Sequence, residues 1–257
     1  MDQKLVLCEI TDRVAILTLN NPEKRNALSR AMLTELRDQL AQLALRKDVR
    51  VGILRAAGSV FSSGHDLREL KDCSSADAAS LFALCTEVML AIRNLPQPVI
   101  AQVQGLATAA GCQLVATCDL VMAAEEASFA TPGVKIGLFC TTPGVAVARA
   151  VSAKKAMEML LTGQMIRAVE AERVGLVNRV VPRDRLEAET LALAQQIAKA
   201  SAATVALGKR AFYEQLPLSC PAAYHVAQPI MAANAQMGDA QEGIRAFLEK
   251  RQPRWED

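Results

Sequence analysis

The 257-residue sequence contains two histidines, His65 and His225, and no cysteines spaced as Cys-x-x-Cys. With so few imidazoles, a histidine-built metal site is not expected. His225, between Tyr224 and Val226 in a helical stretch, reads as a surface or packing residue. The seven cysteines (Cys8, Cys73, Cys85, Cys112, Cys118, Cys140 and Cys220) are scattered and odd in number. Most sit among apolar neighbours, which points to reduced, buried thiols rather than a disulfide framework. No Walker-type phosphate loop, no G-x-G-x-x-G and no G-x-S-x-G elbow is present, so nucleotide, dinucleotide and serine-hydrolase chemistry lose their usual signatures. Aromatic residues number nine and the formal net charge is only +2 without a long basic run. Those absences argue against nucleic-acid binding, RNA included. No uncharged apolar run reaches the ~18 residues of a membrane span, so no membrane partner is expected. Met1-Asp2-Gln3-Lys4 leads directly into a strand pattern without a signal or transit segment. A cytosolic location is the expectation.

What is present reads as a globular chain, 51% hydrophobic and 22% charged, with size for one large domain or two. Leu5 to Ile10 and Val14 to Leu19 are short β-type runs around Thr11-Asp12-Arg13, a hairpin that Asn20-Asn21-Pro22 ends. Ser29 is placed to cap a helix carrying Leu33, Leu36, Leu40 and Leu43. Val51 to Leu54 reads as a buried strand. A second helix carries Leu81, Leu84, Val88, Ile92 and Leu95 and stops at Pro96 and Pro98. Val99 to Val103 is a further strand, and Gly105 to Gly111 a loop of small residues entering another helix. This alternation predicts an α/β fold with a largely parallel sheet. Beyond Val181-Pro182, the segments 186–200, 202–215, 221–236 and 241–250 all read as helical. The expected division is a core over residues 1–195 and a helical region over 196–257.

Three loops could carry chemistry: Phe61 to Leu67, Gly105 to Cys112, and Thr131-Pro132-Gly133. Each lies where a strand hands over to a helix or turn. Gly64 permits a positive φ, and Asp66 can cap a helix running toward Leu70. The free N–H groups of such a helix start can bind an anion. An ordinary glycine turn and simple close packing of Ala109-Ala110-Gly111 read equally well from either loop alone.

Taken together, the motifs resemble the crotonase (enoyl-CoA hydratase/isomerase) superfamily. The matching stretches are Asn21 to Leu28, Phe61 to Leu67, Pro98 to Ala101 with Gly105, Ala110 to Leu114 with Cys118-Asp119, Ala156 to Gly163, Ala171 to Val177 and Gly243 to Arg251. The wording of Phe61 to Leu67, Gly105 to Gln113 and Ser128 to Pro143 is similar to the enoyl-CoA hydratase domain-containing proteins in which the family's glutamates are replaced. The resemblance implies a spiral of ββα units with a C-terminal helical region that drives trimers, often paired into hexamers. It implies an acyl-CoA thioester as ligand, with coenzyme A part of the substrate and no separate cofactor or metal. It also implies two backbone N–H donors for the thioester oxygen, at His65 and Ala110. Lys24, Arg25 and Ala27 would line the adenine and phosphate end, and Ser63, Gly64, Asp66, Leu67 and Gly111 the rest of the site. Phe247 and Lys250 would reach a neighbour's coenzyme.

Two departures matter. Where hydratases of the family place two glutamates, this sequence has Gln113 and Gly133. A positioned acid or base contributes about 10²–10⁴ in rate, so standard hydration is not expected. Three functional readings follow. One is an acyl-CoA enzyme with a different proton carrier, drawn from the His65 side chain, Asp66, Glu69, Cys112 and Cys140. A second is an isomerase, thioesterase or decarboxylase of the same fold. A third is a catalytically silent acyl-CoA binder.

Overall fold

The computed structural model describes residues 4–256. The elements run β1 (Val6–Thr11), β2 (Val14–Leu19), α1 (Arg30–Ala44), β3 (Val51–Ala56), β4 (Val60–Ser62), α2 (Ser75–Asn94), β5 (Val99–Val103), β6 (Leu106–Thr108) and α3 (Ala110–Thr117). Then come β7 (Leu120–Ala124), β8 (Ser128–Ala130), α4 (Thr141–Ala150), α5 (Ala153–Thr162), β9 (Ile166–Arg167), α6 (Ala168–Arg173) and β10 (Arg179–Val181). Four helices close the chain: α7 (Leu186–Ala198), α8 (Ala202–Gln215), α9 (Cys220–Ala235) and α10 (Gly238–Leu248).

The hairpin β1–β2 is antiparallel, and from β2 onward the first sheet continues in parallel as β3, β5, β7 and β10. A second sheet orders β4, β6, β8 and β9, the first three parallel. Each turn of the chain therefore lays one strand in each sheet and then a helix: β3–β4–α2, β5–β6–α3, β7–β8–α4. This is a ββα spiral. Because β4, β6 and β8 are neighbours, the loops that follow them must emerge side by side.

Sequence chemistry explains the layers. The runs Val-Gly-Ile-Leu in β3 and Val-Ile-Ala in β5 are buried on both faces, as central parallel strands require. One face meets α1 and α2 through Leu33, Leu36, Leu40, Leu81, Val88 and Ile92. On the other, Val51, Ile53, Ile100 and Met122 pack with Leu186 and Ala194 of α7. The expected boundary at 195 falls inside α7, whose residues cover that face. Ser29 caps α1 as expected, its side chain accepting the Met32 N–H. By length and hydropathy α2 could cross a membrane, yet Leu81, Cys85, Val88, Met89 and Ile92 give it a stripe buried in the core.

One partly buried cluster ties the C-terminal helices to the sheet. The Lys209 ammonium on α8 donates to Asp119 Oδ2 at 2.7 Å and to the carbonyls of Ile92 and Gln97. Tyr213 Oη donates to Asp119 Oδ1 at 2.8 Å, and the Val99 N–H also donates to Oδ2. Arg93 stacks on the Tyr213 ring, 4.4 Å from its centre. A largely buried carboxylate such as Asp119 is tolerable when paired and hydrogen-bonded in this way.

Candidate acyl-thioester site

The loop after β4 turns at Gly64, whose φ is +87°. A side chain there is excluded twice over: by the backbone angle, and because a Cβ would lie 2.9 Å from Ala109 Cβ and 3.2 Å from Ala110 N. That close approach brings the Gly64–His65 peptide beside the start of α3. The loop is laced to the segment before α1. Ser63 N–H donates to the Arg25 carbonyl, Leu28 N–H to the Gly64 carbonyl, and Ser62 Oγ to the Asn26 carbonyl. Asn26 is fully buried; its amide donates to the carbonyls of Ala57 and Val60 and its oxygen accepts the Asn21 N–H. Arg25 and Asn26 both take positive φ, a cost met by these bonds. Lys24 and Arg25 are left exposed, while Ala27 is buried.

The loop after β6 is pinned where Ala109 N–H donates to the Ala130 carbonyl of β8. Ala109 holds φ 50° and ψ −119°, a conformation an alanine rarely accepts. Beyond it α3 begins at Ala110, and Gly111 packs against Ser62 of β4. Among the described residues, neither the His65 N–H nor the Ala110 N–H donates to a protein acceptor. Two unused donors thus sit at neighbouring points, one of them at a helix N-terminus where negative charge is favoured.

The surrounding side chains sort themselves by their bonds. His65 Nδ1 lies 3.2 Å from the Leu28 carbonyl, so that nitrogen carries the proton. Its Nε2 is buried and has no partner among the described residues, and the ring sits edge-on to Phe82. Burial lowers the His65 pKa, opposed in part by the Leu28 carbonyl and Glu69. The expected helix after Asp66 is not formed. The stretch holds only turns, ended by Asp72 at φ 52°, and Asp66 accepts the Arg68 N–H and pairs with its guanidinium. Those bonds hold the Asp66 carboxyl below its usual range. Glu69 receives the first N–H of α1, from Arg30, and is used as a cap. Cys112 is enclosed and burial pushes its thiol up to about 12; burial also raises that of Cys140. Leu67 stands exposed beside the site.

Gln113 lies one helical turn from Ala109, its N–H bonded to that carbonyl. The residue is 5% exposed, and among the described residues Oε1 has no partner. Gly133 is buried in the short 3-10 turn after β8. A Cβ there would meet the Leu138 carbonyl at 2.2 Å and Cys140 Sγ at 2.8 Å. Thr131, named in the sequence only as part of the Thr131-Pro132-Gly133 loop, is wholly buried, and among the described residues its hydroxyl has no partner. Phe247 and Lys250 are not part of the loop cluster; Phe247 is 81% exposed on α10, which packs on α8 and α9. Among the described residues no three His, Cys, Asp or Glu side chains gather to hold a metal.

The spiral and its loop arrangement have a match. The enoyl-CoA hydratase/isomerase family model aligns with residues 9–257. The chain belongs to this family. Mouse enoyl-CoA hydratase domain-containing protein 3, mitochondrial, is 53% identical over 245 residues, covering 95% of this chain and 82% of the mouse protein. The crystal structure of the human protein of that name is 50% identical with a TM-score of 0.95, covering 98% of this chain and 100% of the other. An enoyl-CoA hydratase from Mycobacterium smegmatis gives 48% identity and a TM-score of 0.96, covering 98% and 99%. The expected cytosolic location is corrected by these relatives: the mouse, rat and human proteins are all named mitochondrial. Address segments take no part in a packed fold, so the composition of this enoyl-CoA hydratase/isomerase fold carries no record of compartment.

Proposed function

We propose that the protein binds an acyl-coenzyme A and holds the thioester oxygen between the N–H groups of His65 and Ala110. The observation that carries this reading is the pair of unused backbone donors, fixed side by side by Gly64 and by the strained Ala109. Fixed donors suit an enolate oxygen, and one such donor is worth about 10²–10³ in rate. Lys24 and Arg25 supply positive charge for the coenzyme's phosphates, near a loop to which Arg25 is itself bonded. Ser63, Gly64, Asp66, Leu67 and Gly111 border the thioester, and Ala27 the adenine end. The ligand brings its own coenzyme, so no further cofactor is invoked. Assembly as a homotrimer or hexamer, with Phe247 and Lys250 offered to a neighbour, belongs to the same proposal.

Hydration by two carboxylates is not part of it. Gln113 accepts no proton usefully, and position 133 has neither a side chain nor room for one. Any proton transfer falls to another group, and the unprotonated Nε2 of His65 is the buried basic atom nearest the donors in sequence. The filled space at Gly133 also favours a second reading, a binder without turnover. The test is to mix the protein with a short trans-2-enoyl-CoA, follow the conjugated absorbance, and measure binding by calorimetry in parallel. Binding without hydration is expected. Rapid hydration would remove the claim that two carboxylates are needed here, and absence of binding would remove the proposal.

A further inference from the structure

Helix α10 has little of its own to hold it. It is 11 residues long, of which Asp239 and Ala246 are buried, and an isolated helix of that length is marginal in water. The chain that follows secures it. After Lys250, at φ 55°, the tail reverses and runs back along the helix. Arg251 grips both carboxylate oxygens of Glu242, at 2.6 and 3.0 Å, and the Arg254 N–H donates to the same group. The Trp255 ring lies over Gly243, where a Cβ would come within 3.3 Å of it. Its Nε1 donates at 2.7 Å to the carbonyl of Lys199, the residue that ends α7. The indole therefore ties α10 to the body of the fold. Last, the Glu256 N–H donates to Asp239 Oδ1, while Asp239 Oδ2 accepts the Ser201 hydroxyl. The Glu256 carboxylate rests against Gly238, the first residue of α10, where negative charge is favoured.

We infer that Trp255 is a positioning residue for coenzyme binding: the docked indole fixes α10, and α10 in turn fixes Phe247 and Lys250. The inference rests on the acyl-CoA reading above and deepens it. Phe247 is 81% exposed and shares with Ile244, Leu248 and Trp255 an apolar groove of about 450 Å³. Lys250 follows one turn on, its N–H bonded to the Phe247 carbonyl. An aromatic face near an ammonium suits a purine ring and its phosphates. Such a face binds well only while α10 is docked, because any undocked fraction lowers the apparent affinity in proportion. A thioester without the adenosine end should not sense the tail.

Calorimetry on the full chain with acetyl-CoA and with S-acetylpantetheine, which lacks the adenosine and its phosphates, tests it. Trp255→Ala should leave α10 docked in about a tenth of the molecules, weaken acetyl-CoA about tenfold and change S-acetylpantetheine little. Trp255→Phe keeps a ring over Gly243 and should recover part of the loss. Combining Trp255→Ala with Phe247→Ala should cost less than the product of the two single losses, as residues acting through one another do. Trp255 is the sole tryptophan, so its emission reports the tail directly. Glu242→Ala frees the tail's other anchor without removing a positive charge. It should shift that emission to the red and weaken acetyl-CoA together. Equal losses for both thioesters, independent losses at Trp255 and Phe247, or a red shift at full affinity would overturn the inference and leave the acyl-CoA reading standing. If the parent protein binds neither thioester, both fall together.

Discussion

The Sγ of Cys140 lies 3.3 Å from the backbone N of Gly133 and accepts its hydrogen bond. Together with the Leu138 carbonyl, it occupies the space a side chain at 133 would need. Gly133→Ala should therefore lower stability by about 2 kcal/mol, as overpacking does, which is roughly 4–8 °C in Tm. The double change Gln113→Glu with Gly133→Glu should destabilise further and still give no hydration of a trans-2-enoyl-CoA. Thermal melts with the absorbance assay check both; a stable, hydrating double variant would show that the loop yields easily.

Ala109 pays for its backbone angles, and glycine would not. Ala109→Gly should relieve strain of about 1–3 kcal/mol, partly offset by the ~0.5–1 kcal/mol of added chain entropy. The expected net effect is a Tm raised by a few degrees. Ala109→Val should move the other way and weaken acyl-CoA binding, since the Ala110 N–H shifts with it. A melt in which glycine lowers the Tm would contradict the strain.

The pKa of His65 is depressed by burial. Between that value and the ordinary ~6.5 the unfolded chain holds the proton and the folded chain does not. The contribution is therefore complete above about pH 6.5 and is lost as pH falls through the folded pKa. Denaturant melts at pH 7 and pH 5 should show a smaller loss of stability in His65→Gln than in the parent protein. Equal losses would mean that the ring is charged or solvated in the fold.

The thiols should divide by exposure. Cys220 and Cys8 are exposed, whereas Cys112 and Cys118 are enclosed with their pKa values raised by burial. Alkylation read by mass spectrometry should mark Cys220 and Cys8 in the native protein, and Cys112 and Cys118 only after denaturant. Early labelling of Cys112 would restore it as a candidate proton carrier.

What the sequence made legible was whatever repeats locally. The apolar period of α1 and α2, the Ser29 cap and the four closing helices could all be read from neighbouring residues. The strands β4, β6 and β8 could not, because three residues are too few for a period-two pattern. Gly105 to Gly111 accordingly reads as loop where β6 runs through Leu106–Thr108. Yet it is the pairing of those short strands that gathers the site, and only the family resemblance carried that information. Asp66 was misplaced as a helix cap because Arg68, two residues on, competes for the carboxylate. Pairings such as Asn26 with Val60, or Asp119 with Lys209, join distant positions and leave no local signature. Gly133 could be read as a missing carboxylate, but that its space is filled could not.

The grip of Lys209 and Tyr213 on Asp119 also orders events at the ribosome. These partners lie 90 and 94 positions downstream of the aspartate. At ~5–20 residues per second, the carboxylate waits roughly 5 to 20 s for them after it is synthesised. Through that interval β5 and β7 can pair and the Val99 N–H can serve one oxygen, but the α8 side stays open. The nascent chain thus carries an unneutralised charge until Lys209 and Tyr213 have been added. Helix α8 closes that side, and a chain stalled before it would present the open face to chaperones and proteases.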